Sequence, residues 1–386
     1  MSREHSPDRR RLIGGLAAAS ALAAIPRPLH SLAAFGAQPS QKVRVACIGV
    51  GGMGFSDVRG VATEELVAFA DVDWRSAERA FREFPRARRY KDFREMLEKE
   101  RNNIDAVTVS TPDHTHAVAA MMALKMGKHV YCQKPLARTI GECRALQAEA
   151  ARRPRQSTQM GNQGHAGDGI RLIREWVEAG LIGDVERIEF WTNRPIWPQA
   201  RNRPTEMHAV PPTLDWDLWL GPAAERPYHP SYAPFNWRGW WDFGTGAMGD
   251  MACHIMDAAY WVLGLKYPSR IIPETTTPFA ETAPAAERIV YEFPAIGARR
   301  AVTLTWRDGS FNPPKPAGYP ETLAWPYDAT GGQLWVGSKG MLVAGTYAEN
   351  PRLVDDKAND ELKANPVPQK YARTGGVYQE WITAIK

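Results

Sequence analysis

The sequence predicts an α/β protein of two domains, a doubly wound parallel sheet followed by a domain with a mostly antiparallel sheet. Three observations support this prediction. The chain has 386 residues, which exceeds the usual length of one domain. Short strand-like runs alternate with amphipathic segments between residues 42 and 190, as in parallel strands joined by helices. A glycine-rich turn follows the first of these runs.

Six short runs are predicted as strands in residues 42–190. They are Val43–Ile48, Leu66–Ala70, Ile104–Val109, His129–Tyr131, Ser157–Met160 and Val185–Phe190. Helices are predicted between them over Trp74–Glu83, Phe93–Glu100, Thr115–Met126 and Ile140–Ala151. Further strands, expected to form the antiparallel sheet, are Ala286–Phe293, Ala301–Trp306, Gln333–Val336 and Met341–Val343.

The turn after the first strand has the pattern GxGxxG. Gly49 permits the tight turn, Gly51 lets the backbone approach a pyrophosphate, and Gly54 lets helix and strand pack closely. Asp71 ends the second strand 22 residues after Gly49, where a carboxylate binds the adenosine ribose and repels a 2′-phosphate. We therefore predict a dinucleotide site that prefers NAD, although Arg75 leaves NADP open. The candidate cofactor contacts here are Gly49, Gly51, Gly52, Met53, Gly54 and Asp71.

Polar residues follow two later strands, at the same edge of the predicted sheet. Lys134 is restricted by Pro135 and can hold its ammonium over a cofactor or substrate oxygen. Two histidines in the earlier loop are spaced like metal ligands, but no third ligand lies near them, and we expect no metal. The candidate cofactor contacts in these loops are Ser110, Thr111, His114, His116, Gln133 and Lys134.

Residues 190–246 are rich in tryptophan and proline and hold seven of the 14 tryptophans. Aromatic faces stack on the C–H faces of sugar rings, and neighbouring polar side chains bond the hydroxyls. Prolines hold such groups at little further entropic cost. For most of these tryptophans an ordinary aromatic core is the alternative. The stretch 235–241 is the part we expect to contact substrate, through Asn236, Trp237, Arg238 and Trp240.

A helix predicted over Gly249–Leu263 carries three titratable residues. Asp250 and His254 are four residues apart and share a face, on which Asp257 also falls. A histidine is a natural general base for removing a hydroxyl proton, and a neighbouring carboxylate can orient its ring. Taken alone, such a pair is more often structural.

Together these residues resemble the glucose–fructose oxidoreductase / inositol dehydrogenase (Gfo/Idh/MocA) family. The match rests on the glycine turn, Asp71, the loop Thr111–His116, the Lys134-Pro135 pair, and Asp250 with His254, which is similar to the family's D-x-x-x-H signature. It covers roughly residue 42 to the end. The resemblance implies a Rossmann domain, a C-terminal α/β domain whose open sheet often serves oligomerisation, and NAD(P)-linked redox chemistry on sugars or cyclitols.

We place the Rossmann domain at residues 38–161 and the substrate and oligomerisation domain at 162–386, and expect a dimer or tetramer. The resemblance implies that His254 takes the hydroxyl proton, that Lys134 polarises the reacting oxygen, and that Asp250 orients the base or holds a second hydroxyl. It also places contacts after the strand Ser157–Met160. Asn162 is therefore a candidate cofactor contact, and the further substrate candidates are His165 and Asp257.

Two features depart from the family. Gln133 stands where the family usually has the glutamate of Glu-Lys-Pro, which removes a negative neighbour of Lys134. The chain also stops inside a predicted helix near Trp381, so we expect a C-terminal truncation.

Residues 1–37 are typical of an export signal. Arg9–Arg11 precede Leu12–Ile25, a weakly hydrophobic run that is too short for a stable membrane span. Arginines ahead of such a run resemble a twin-arginine signal, with small residues for cleavage at Ser31–Ala33 or Ala34–Gly36. We expect an exported protein, periplasmic or extracellular; the alternative is a disordered basic tail.

Composition excludes several other classes of protein. Hydrophobic residues make up 44% and charged residues 24%, unlike collagen-like, disordered or multi-span membrane chains. The net charge is +5, but residues 1–40 hold five arginines against two acids, so no basic stripe remains for nucleic acid. The four cysteines include no CxxC pair, which argues against a zinc ribbon or a disulfide framework.

Three functions remain open. The first is an NAD-dependent oxidoreductase that acts on a hydroxyl of a sugar, sugar acid or cyclitol. The second is a redox-assisted glycoside hydrolase or lyase, in which transient oxidation at C3 permits elimination at C2 and tightly bound NAD is recycled. Export favours this second hypothesis somewhat, because free NAD is scarce outside the cytoplasm. The third is a non-catalytic sugar sensor, for which His254→Ala leaves the function intact.

Overall fold

The computed structural model describes residues 42–386, and these form one compact unit. The predicted export signal, residues 1–37, lies outside the described residues. Within the described part of the chain, no helix combines the length and the apolar character needed to cross a membrane.

The first sheet consists of six parallel strands, as the sequence predicts. The strands are β1 (Arg44–Ile48), β2 (Glu65–Ala70), β3 (Arg88–Tyr90), β4 (Ala106–Val109), β5 (His129–Gln133) and β6 (Thr158–Gly161). Their order in the sheet is β3-β2-β1-β4-β5-β6. The direction of winding reverses between β1 and β4, and a crevice for ligands forms at such a point outside the carboxyl ends of the strands.

Five helices connect these strands and pack on both faces of the sheet. They are α1 (Met53–Gly60), α2 (Trp74–Glu83), α3 (Phe93–Lys99), α4 (Asp113–Lys125) and α5 (Ile140–Ala151). Local signals set their first residues. The Asp73 side chain accepts the Arg75 N–H at the start of α2, and Thr139 and Glu142 form a capping box at the start of α5.

The second sheet has seven strands and is mostly antiparallel. The strands are β7 (Val185–Thr192), β8 (Arg270–Thr275), β9 (Glu287–Phe293), β10 (Val302–Arg307), β11 (Gly331–Gly337), β12 (Met341–Gly345) and β13 (Arg352–Leu353). Their order is β13-β12-β11-β7-β10-β9-β8, and only the central pair β7 and β10 is parallel. The remaining helices are α6 (Asp168–Glu178), α7 (Trp216–Leu220), α8 (Gly246–Ile255), α9 (Asp257–Leu263), α10 (Asp356–Ala364) and α11 (Val377–Ile385).

Both faces of the second sheet are covered by the chain's own residues. Alternation along β7 sends Phe190 into a core shared with α6, α8 and α9, and sends Trp191 to the opposite face. On that face Trp191 packs against Trp325, with ring centroids 5.3 Å apart, and Tyr319 packs against Trp325 in turn. The loop between β10 and β11 therefore covers the face that the helices leave uncovered.

The last helix returns to the first sheet. Val377, Trp381 and Ile382 of α11 are buried in the same core as residues of β1 and β2. The Trp381 ring lies 5.6 Å from that of Tyr131 on β5. The described C-terminal residues therefore complete the core of the nucleotide-binding half, although the sequence assigned them to the second domain.

Several elements differ from the sequence predictions. The single helix predicted over Gly249–Leu263 is two helices, α8 and α9, which meet at Met256. β3 escaped prediction because it has three residues, two of them arginines, and β8 because it is an exposed edge strand without an apolar face.

Candidate functional site

A large cleft runs along the carboxyl edge of the first sheet and is closed on its far side by the second domain. Its volume is about 1080 Å³, enough for an extended ligand. The glycine turn lines one end, and the 194–197 and 233–238 segments line the other. The cleft therefore joins the predicted cofactor contacts to part of the predicted substrate segment.

The glycine turn fits a dinucleotide phosphate. Gly49 has a positive φ of 75°, and a Cβ there would lie 2.7 Å from the Ser110 carbonyl oxygen. At Gly52, where α1 begins, nothing lies within 4 Å of a Cβ. The backbone is thus exposed at the N-terminus of a helix, where N–H groups and the helix dipole favour an anion.

Asp71 stands beside this turn at the end of β2. Its carboxylate accepts the backbone N–H groups of Val50 at 2.8 Å, Gly51 at 3.2 Å and Asp73 at 2.9 Å. Burial raises the pKa of Asp71 to about 6, so the group is mostly ionised at neutral pH. A carboxylate in this position suits the ribose of NAD and disfavours the extra phosphate of NADP.

The two predicted histidine contacts do not line the cleft. His114 and His116 are buried on α4. The Nε2 atom of His114 is 2.9 Å from the Trp219 carbonyl oxygen, and the His116 ring lies between the carbonyls of Pro135 and Thr111. Both rings tie loops together, which corrects their assignment as cofactor contacts. In residues 42–386 no cluster of three or more metal-ligating side chains exists.

Ser110, Thr111, Gln133 and Lys134 do line the cleft. Lys134 donates to the Asp250 carboxylate at 2.7 Å and to its backbone carbonyl at 3.0 Å, and both side chains are mostly buried. Burial alone would raise the pKa of Asp250, but Lys134 and Arg238 outweigh it and hold that pKa below its usual value. Asp250 is therefore an anion that positions Lys134.

His254 is oriented by Asn162 and not by Asp250. The Asn162 amide donates to the Cys253 carbonyl at 2.7 Å, so its oxygen accepts the Nδ1–H of His254, 2.8 Å away. This leaves Nε2 as the unprotonated nitrogen of a ring that lines the cleft. Burial, reinforced by Lys134, lowers the pKa of His254 to about 3, which keeps the ring neutral. Asn162 is thus a support for the histidine and does not line the cleft.

A buried carboxyl that no sequence motif singles out lies behind Gln133. Asp57 of α1 accepts hydrogen bonds from Ser110 at 2.6 Å, from Tyr378 at 2.7 Å and from the Gln133 amide at 2.9 Å. Burial is the largest influence and raises the pKa of Asp57, although these bonds act against it. This contact gives a physical reason for glutamine at position 133, where the family usually has glutamate. A glutamate there would place its carboxyl against that of Asp57.

His165 and Asp257 form a separate pair outside the cleft lining. His165 Nδ1 lies 2.9 Å from the Asp257 carboxylate, and this bond raises the pKa of His165. The pair links the turn after β6 to the start of α9, because the break at Met256 turns Asp257 toward that turn. Neither residue lines the cleft, and their assignment as substrate contacts stays a prediction.

The aromatic segment divides between cleft and core. Trp237 and Arg238 line the cleft, whereas Trp240 is fully buried and its indole donates to the Ser231 carbonyl at 2.9 Å. Asn236 is partly buried, and its amide donates to the Pro230 carbonyl at 3.2 Å. Cleft residues that the sequence did not single out include Arg194, Trp197 and Tyr347. They come from loops without a motif, and no sequence signal distinguished them.

Two family models match the chain in succession. One, described as an oxidoreductase family with an NAD-binding Rossmann fold, matches residues 43–161. The other, described as the C-terminal alpha/beta domain of the oxidoreductase family, matches residues 170–311. The two matches account for most of the chain.

Curated relatives are similar over part of their length. A glycosyl hydrolase family 109 protein 1 from Shewanella sp. (strain ANA-3) is 32% identical over 179 residues, 43% of this chain and 38% of that protein. Inositol 2-dehydrogenase 1 from Saccharopolyspora erythraea is 33% identical over 147 residues, 37% of this chain and 43% of that protein. These matches span less than half the length of either relative.

Solved structures share the fold. A levoglucosan dehydrogenase in complex with NADH has a TM-score of 0.58 and 19% identity, over 88% of this chain and 83% of that one. A scyllo-inositol dehydrogenase from Lactobacillus casei with bound NAD(H) and scyllo-inositol has a TM-score of 0.54 and 18% identity, over 78% and 76%. Both family models and this fold agree with the cleft geometry: the chain belongs to the Gfo/Idh/MocA family of NAD-binding oxidoreductases.

Proposed function

We propose that this protein is an NAD-dependent oxidoreductase acting on a hydroxyl-bearing carbon of a sugar, sugar acid or cyclitol. One observation carries the proposal: the unprotonated Nε2 of His254 and the ammonium of Lys134 belong to the same cleft as the glycine turn. The relatives named as inositol and levoglucosan dehydrogenases support the choice of substrate class.

In this proposal His254 and Lys134 act on different atoms of the substrate hydroxyl group. Bound nicotinamide supplies the acceptor for the hydrogen and electron pair that leave the substrate carbon. His254 Nε2 takes the hydroxyl proton, and its Nδ1–H bond to Asn162 holds the ring in the accepting tautomer. Lys134 donates a hydrogen bond to the reacting oxygen, and Asp250 fixes the direction of that ammonium.

The proposal is tested by recording the near-ultraviolet absorbance of nicotinamide while sugars, sugar acids and cyclitols are added to the purified protein with NAD. A lasting rise that depends on one substrate class is the expected result. No rise with any compound, despite bound NAD, would contradict it.

Redox-assisted glycoside cleavage is the second candidate, and it has a specific observation in its favour. Two relatives are named a glycosyl hydrolase family 109 protein and an alpha-N-acetylgalactosaminidase. The same His254 and Lys134 would serve a transient oxidation, followed by loss of the adjacent proton and the leaving group. Aryl glycosides distinguish the two functions, because this one releases the aryl group with no net change in nicotinamide absorbance.

We also propose that the protein is exported by a twin-arginine signal and assembles as a homodimer or homotetramer. Arg9–Arg11 and the run Leu12–Ile25 support export. Replacing Arg10 and Arg11 by lysine is expected to retain the protein in the cytoplasm, as measured by cell fractionation. Light scattering of the purified protein measures its assembly, and a monomer would contradict the second proposal.

A further inference from the structure

The substrate end of the cleft holds more positive than negative charge. Three cations line it, Lys134, Arg194 and Arg238, together with two carboxyl groups, Asp113 and Asp250. Burial raises the pKa of Asp113 to about 7, so this group is only partly ionised at neutral pH. Asp250 is already engaged by Lys134 at 2.7 Å. Because Asp250 is shared between Lys134 and Arg238, the carboxylates do not balance all three cations.

Arg238 is held in place by aromatic rings and leaves most of its donors unused. Its guanidinium carbon lies 4.3 Å from the ring centroid of Trp237 and 4.8 Å from that of Phe235. Its two bonds within residues 42–386 are both long: Nε to Asp250 at 3.4 Å and Nη1 to the Phe235 carbonyl at 3.3 Å. Stacking thus fixes the plane of the group while its edge remains available to a ligand.

Arg194 supplies a second guanidinium to the same end of the cleft. It follows β7, and its one side-chain bond among the described residues goes to the neutral side chain of Asn193. No ion pair with a described residue involves it, in contrast to the arginines of the protein surface that pair with acids. Trp197, three residues later, packs against Phe235, so the two segments form one wall.

We propose that this wall is a carboxylate subsite, and that the substrate is an anionic sugar of the hexuronate type whose carboxylate meets Arg238 and Arg194. The inference rests on the proposed function and narrows its substrate class. A planar guanidinium with unused N–H groups matches a carboxylate in a bidentate arrangement. Neutral sugars and cyclitols would leave the excess positive charge of this wall without a partner.

The test compares D-glucuronate and D-galacturonate with D-glucose and myo-inositol as substrates of the NAD-loaded protein. We expect kcat/KM to be about 10- to 100-fold higher for a uronate, the usual size of a charge-assisted hydrogen bond. Its KM should rise with added salt, while that of a neutral sugar should not. Equal or better turnover of the neutral compounds overturns the subsite and leaves the proposed function standing. Failure of all four compounds, with NAD bound, counts against both.

Variants locate the subsite. Arg238→Gln and Arg194→Gln are each expected to lower kcat/KM for the uronate about tenfold or more while NAD binding is unchanged. Arg270→Gln, on the exposed edge strand β8, is the matched control for the loss of one positive charge. Equal effects of all three variants on uronate turnover would overturn the assignment. If a cleft variant fails to fold, the subsite is tested by the substrate preference of the unaltered protein and by the salt dependence of its KM.

Discussion

Lys134 and His254 each depend on a partner that comes from a distant part of the chain. The Lys134–Asp250 pair is mostly buried, so removing either member leaves a charge with little water around it, at a cost of about 3–5 kcal/mol. His254 depends on the Asn162 amide for its tautomer. The residue types were recognisable in the sequence, but these partners were not, because each lies about ninety residues or more from its mate.

The contact between Gln133 and Asp57 also leads to a prediction about stability at the residue scale. Gln133→Glu sets two carboxyl groups about 3 Å apart and is expected to destabilise the protein by about 3 kcal/mol and to weaken NAD binding. Asp57→Asn in that background restores an amide–carboxylate pair with the roles exchanged. Urea unfolding of both single variants and the double variant measures the coupling. A double variant no more stable than Gln133→Glu alone would contradict the account.

His114 predicts part of the pH dependence of stability. Burial lowers its folded-state pKa to about 4 from an ordinary 6.5. Between pH 4 and 6.5 the unfolded chain therefore binds a proton at this histidine, and the folded chain does not. Stability is therefore lost as the pH falls from 6.5 to 4, by up to about 3 kcal/mol from this group. His114→Gln should reduce that loss in urea unfolding at the two pH values. The exposed His208→Gln is the control, and an unchanged loss in His114→Gln would refute the prediction.

At the scale of elements, the buried apolar strands of the first sheet were predictable from the sequence. Strands without an apolar run, β3 of the first sheet and β8 of the second, were not. β1 and β4 are short apolar runs ended by loops, and their type follows from periodicity and flanking residues. β3 and β8 lack an apolar run and exist only through pairing with a neighbour. Similarly, the sequence predicts a helix near Trp381, but its packing against the first sheet depends on tertiary contacts that the sequence does not reveal.

Because α11 packs in the core, replacing its central residue, Trp381, should lower the free energy of unfolding strongly. Trp381 is fully buried, so Trp381→Ala is expected to cost about 3–5 kcal/mol in the free energy of unfolding. Tyr267→Ala, which removes an aromatic ring that is 86% exposed, should cost less than about 0.5 kcal/mol. Urea unfolding compares them. Similar stability of the two variants would mean that α11 contributes little to the core.

At the scale of the whole molecule, the cleft lies between the carboxyl edge of the first sheet and segments of the second domain. The first sheet brings the glycine turn, Asp71 and Lys134 to its carboxyl ends, and this arrangement followed from the sequence. The second domain brings Asp250, His254 and Arg238 against them from α8 and the loop before it. Which aromatic residues face the cleft could not be predicted, since Trp237 and Trp240 have similar neighbours in sequence and are both buried, yet only Trp237 lines the cleft.

The central claim is that His254 is the base of a redox site and not a structural or sensing residue. The most direct measurement is NAD binding and substrate-dependent nicotinamide absorbance of His254→Ala beside the unaltered protein, with His208→Ala as a control for a surface histidine. We predict unchanged NAD binding and a rate lower by about 10²- to 10⁴-fold in His254→Ala alone. Full turnover by His254→Ala would contradict the claim.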